Sequence, residues 1–107
     1  MSGSNTHEVW VSDSPIECDQ LIFETTLSSP QMPVVATLSA GHSLDVALRI
    51  EGDTRMIAAM LSDAVVGTIT EKRYLASLIR CLQQGGEFSA GVISVEASIV
   101  RVEVHPR

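Results

Sequence analysis

The stretch DAVVGTITEKRYLASLIRCLQQGGEF, residues 63–88, sets a strand, a helix and a helix stop in immediate succession. AVVGTIT is rich in β-branched residues, and Gly67 inside it marks a bulge or a close backbone approach. The period then changes. Tyr74, Leu75, Leu78, Ile79 and Leu82 recur at the spacing of one helical face, while Lys72, Arg73, Ser77, Arg80 and Gln84 fall on the other sides, which predicts a helix over 71–84. Either Thr70 is its N-cap, with Glu71 complementing the dipole, or Thr68 and Glu71 form a capping box; Gly85 is the expected left-handed stop.

Working outward, EFSAGVISV and SIVRVEV read as a hairpin turning near Ala97, with Val100, Val102 and Val104 on one face and Ile99, Arg101 and Glu103 on the other. Upstream, LDVALRIE places Leu44, Val46, Leu48 and Ile50 on one side of a strand and Asp45, Arg49 and Glu51 on the other. EGDT supplies a tight turn into RMIAAML, which is apolar on both faces and so reads as a central strand. Earlier still, VVATLSA (34–40), LIFETTL and HEVWVS are strand candidates, SSPQMP is a turn or connector, and residues 1–7 are too small and polar to order. The expected fold is therefore mainly β, within the β-rich α+β class. It is a small antiparallel β-barrel or curved sheet of about seven strands, with one helix near 71–84 over one open end and a single domain spanning 8–107.

Composition narrows the function classes. Aromatics make up 4% of the 107 residues, so the core must be aliphatic. The formal charge of −6 is uneven: residues 1–33 carry Glu8, Asp13, Glu17, Asp19 and Glu24 and no base, leaving −1 for the remainder. Net acidity disfavours a nucleic-acid partner, whose phosphates need clustered Lys and Arg. No apolar run approaches the ~20 residues of a membrane span and the opening residues show no signal peptide, so a cytoplasmic location without membrane contact is expected. Cys18 and Cys81, far apart and without CxxC spacing, are expected to be buried reduced thiols.

Candidate chemistry is sparse. GHSLD brings His42, Ser43 and Asp45 together in sequence, but neighbours on an extended chain point to opposite faces, and no elbow motif surrounds the serine. His7, His42 and His105 lack the spacing that sets two imidazoles on one metal. No enzyme activity, metal or cofactor is expected. Lys72, Arg73 and Arg80 form a local basic spot on the helix, and Trp10 in the acidic leading segment is the aromatic best placed for a contact role.

Residues 44–104 resemble the HIRAN domain, a small β-barrel module found fused to certain helicases and also standing alone in bacterial and phage proteins. The resemblance rests on Val66-Gly67-Thr68-Ile69, then YLASLIRCLQQGG, then Phe88-Ser89-Ala90-Gly91-Val92-Ile93-Ser94-Val95, in that order and spacing. The family's Asn-Pro-aromatic-Asp segment is missing, leaving only Glu51-Gly52-Asp53-Thr54, and its early aromatic pair is not found, so Asp53 is the one DNA-end-binding residue carried across. The resemblance implies a non-enzymatic binding module, read here as an accessory protein of a phage, plasmid or defence locus. A protein partner would meet Glu8, Trp10, Asp13, Glu17 and Asp19. The alternatives are binding of single-stranded or 3′-ended DNA through Lys72, Arg73, Arg80 and Asp53, or a small ligand-binding barrel. Unpaired strand edges also leave room for a homodimer.

Overall fold

Six of the alternating stretches form one antiparallel sheet in a computed structural model that describes residues 16–107. In chain order the strands are β1 (Phe23–Thr26), β2 (Ser43–Glu51), β3 (Thr54–Leu61), β4 (Ala64–Ile69), β5 (Phe88–Glu96) and β6 (Ile99–Pro106). Helix α1 (Met32–Val35) lies between β1 and β2, and helix α2 (Lys72–Gln83) lies between β4 and β5. The spatial order is β1-β6-β5-β2-β3-β4, with β1 and β4 at the ends. The expected HEVWVS strand and the expected loose tail at residues 1–7 lie outside the described residues.

The sheet is curved and open, so the barrel form of the expectation does not hold. Among the described residues its two ends meet only past β1. There the Ser28 and Thr68 backbones exchange two 2.8 Å hydrogen bonds, and the Gln31 N–H bonds the Val66 carbonyl at 2.8 Å. This crossing explains Gly67: a Cβ there would stand 2.9 Å from the Ser28 carbonyl oxygen and 3.0 Å from Leu27 Cβ. The β3–β4 ladder also slips beside it, between Ala59 and Met60, so bulge and close approach coincide.

The inner face carries the core. Val100, Val102 and Val104 of β6 are wholly buried, each worth roughly 1.5–3 kcal/mol by transfer. Leu44, Ile57, Val66 and Ile69 continue the layer, and β3 buries Ile57, Ala58 and Ala59 in succession, so both of its faces are covered there. Helix α2 lays Leu78 and Cys81 into this layer, with Tyr74, Leu75, Ile79 and Leu82 packed at its margin. Tyr74 stacks on Phe23 with ring centroids 4.5 Å apart, and Phe88 is 2% exposed.

The ends of α2 separate what was legible from what was not. Its C-terminus is a Schellman motif: the Gly85 N–H bonds the Leu82 carbonyl, the Gly86 N–H bonds the Cys81 carbonyl, and Gly85 sits at φ +92. Its N-terminus is displaced from the expectation. Glu71 holds the N-cap position without a side-chain cap, because the hydroxyls of Thr68 and Thr70 are both engaged with Ser28.

Two further expectations are corrected. VVATLSA is not a strand. Met32–Val35 is a one-turn helix with Pro33 in its first turn, and Val35 and Leu38 are buried at helical spacing. The cysteines are not reduced thiols. Cys18 and Cys81 form a disulfide, 63 residues apart in sequence, with Cα atoms 5.7 Å apart. It pins the 3-10 turn at Cys18–Gln20 onto the last turns of α2.

Candidate functional site

The acidic contact residues are only partly in view, since Glu8, Trp10 and Asp13 lie outside the described residues. Glu17 and Asp19 are exposed at the 3-10 turn, where Glu17 holds the N-cap and Asp19 the first turn.

The basic spot does not act as one surface. Lys72 and Arg73 are exposed at the start of α2, and the Arg73 guanidinium lies 5.4 Å from the Tyr74 ring centroid. Arg80 is about 10 Å further along the axis and turned inward. It donates to the Ile16 carbonyl at 2.7 Å and to Cys18 Sγ at 3.8 Å, holding the incoming chain beside the disulfide. Asp53 is elsewhere again, at the tip of the β2–β3 hairpin. The four residues therefore do not line one site.

Lys72 instead borders a polar cleft of about 450 Å³ with Glu24, Thr26, Thr70, Glu71 and Arg101. One pair of its charges is joined: Arg101 donates to Glu24 Oε1 at 3.3 Å and also to Thr26 Oγ1 at 3.1 Å. Two acids offset the two bases, so the cleft offers phosphate no net attraction. A second depression, of about 290 Å³, lies under the Ser28–Thr68 crossing, with Gln31, Arg49, Glu51, Met56 and Thr68 among its walls.

The GHSLD residues are drawn apart by structural duties. His42 Nδ1 accepts the Ser39 N–H at 3.2 Å, Asp45 pairs with Arg107, and Ser43 is exposed at the start of β2. No hydrogen bond joins the three side chains to one another. Among the described residues, no three His, Cys, Asp or Glu side chains gather in a way that could hold a metal ion, and no helix is long and apolar enough to cross a membrane.

A third depression, a groove of about 490 Å³, lies between α1 and the far half of β5. Its walls include Met32, Val35, Leu38, Ile93 and Val95, and Met32 is 49% and Ile93 42% exposed. The groove exists because the β5–β6 register shifts between Val92 and Ser94, leaving Ile93 as the extra residue, while the single turn of α1 holds Met32 opposite. Reading VVATLSA as a strand hid this groove; the Pro at 33 followed by Val35 and Leu38 three apart was the available signal. No protein-family model, curated protein or solved structure matches the chain.

Proposed function

We propose that the chain is a binding module that works by protein contact, with the α1–β5 groove as its contact surface. One observation carries this reading: Met32 and Ile93, two of the five large apolar side chains exposed among the described residues, line the same groove, where they would seat a short apolar segment of a partner. The HIRAN-like run of strand, helix and strand supports the same class of function. The exposed acids Glu17 and Asp19 lie on another part of the chain and would steer a basic partner. The Cys18–Cys81 disulfide is a stronger guide to location than the opening residues, and it favours an oxidising compartment over the expected cytosol.

Selection of a displayed library of short peptides on the folded protein tests the reading. Binders are expected that lose at least about tenfold in affinity on the Ile93→Asp variant, since one fully buried aliphatic anchor is worth roughly 1.5–3 kcal/mol. If every selected peptide binds both proteins equally, the groove is not the contact surface. DNA-end binding rests on Lys72 and Arg73, with Arg80 engaged inside the fold. Salt-sensitive anisotropy changes with a labelled single-stranded oligonucleotide, lost on Lys72→Glu, would favour it instead.

A further inference from the structure

The β2–β3 hairpin outruns the sheet that carries it. β5 meets β2 only through Ser43, Leu44 and Asp45, and β4 meets β3 only from Ile57 onward, so Arg49 to Met56 form a two-stranded arm. Its two-residue loop, Gly52-Asp53, closes on the Glu51–Thr54 pair, with Gly52 at φ +62. Antiparallel alternation then fixes the backbone directions. The N–H and C=O groups of Ala47, Arg49 and Glu51 face β3, while those of Leu48 and Ile50 face outward. Among the described residues no strand lies on that outward side. Ile50 is 65% exposed, more than any other large apolar residue described.

We propose that this edge pairs with the same edge of a second copy, antiparallel, about a two-fold axis at Ile50. The side-chain order argues for a second copy as occupant. Arg49 and Glu51 flank Ile50 on the opposite face of the strand and are both exposed. With Ile50 opposite the second copy's Ile50, Arg49 stands opposite the second copy's Glu51, and symmetry repeats the pair. Leu48 falls opposite Gly52, which supplies backbone groups without side-chain bulk. A register centred on Leu48 is worse on two counts. It sets Asp45 against Glu51, and it requires Val46, which is 8% exposed and next to the stretch already paired with β5. The pairing is independent of the α1–β5 groove.

Sedimentation velocity of the intact chain at high micromolar concentration tests the pairing. The wild type is expected to form a dimer. Arg49→Glu opposes acids at both symmetric positions and should weaken the dimer by about tenfold or more, since it turns two cross-strand attractions into repulsions. The Arg49→Glu/Glu51→Arg double variant restores both pairs and should recover dimerisation. Circular dichroism melting checks that each variant is folded. A wild type that stays monomeric, a dimer indifferent to Arg49→Glu, or a double variant as weak as the single one overturns the proposal.

Discussion

Strands β2 and β6 carry the same alternation of apolar and polar residues, yet they end in different environments. On β6 the three inward valines, at 100, 102 and 104, are wholly buried. On β2 the inward stripe fades along its length: Leu44 is 0% exposed, Val46 8%, Leu48 half-buried and Ile50 65%. Strand β6 lies between β1 and β5, whereas β2 runs past the start of β5 and leaves the body of the sheet. Period two therefore names a face, but only the elements stacked over that face decide whether it is core.

The sharpest way to break this comparison lies within β2 itself. Leu44→Ala should cost about 2–5 kcal/mol in chemical denaturation, as expected for a buried leucine, whereas Ile50→Ser on the same stripe should change stability by no more than about 0.5 kcal/mol. With the chain dilute enough to be monomeric, equal losses would show that the arm is covered by its own chain. The next effect concerns what holds the cover in place. Replacing Cys18 by Ser removes the link between the 3-10 turn and α2 and should cost about 2–4 kcal/mol, read as a lowered denaturation midpoint; unchanged stability would show the link to be dispensable. The smallest expected effect is a gain. Ala97 turns the β5–β6 hairpin at φ 56, where glycine turns the β2–β3 hairpin at φ 62, so Ala97→Gly should relieve strain and raise stability by up to about 1 kcal/mol. A loss there would mean that the greater freedom of glycine in the unfolded chain outweighs the relief.

Much of the architecture was legible where local and tertiary demands agree. Gly85 and Gly86 had to stop a helix, Gly67 had to admit a crossing chain, and the valines of β6 had to face inward. Legibility failed where a distant partner decided the outcome. Thr68 and Thr70 are good capping residues, but Ser28, 40 and 42 positions away, takes both hydroxyls. Met32–Val35 holds β-branched residues, yet the chain must turn from its crossing at Val66 back toward β2, and one helical turn does that while burying Val35. The disulfide depends on a spatial approach that spacing cannot reveal. The candidate groove was hidden for the same reason, because one wall is the misread helix and the other is a bulge set by register.

The pairing of β1 with β6 has a consequence for assembly. Phe23 meets Val104 in that ladder, so nearly the whole described length must exist before the first strand has its neighbour. Among the described residues that ladder needs β6, whereas the β2–β3 and β3–β4 hairpins can form before β6 is made. Closure between segments so far apart in sequence slows folding, and loss of β6 would leave β1 without a ladder partner among the described residues.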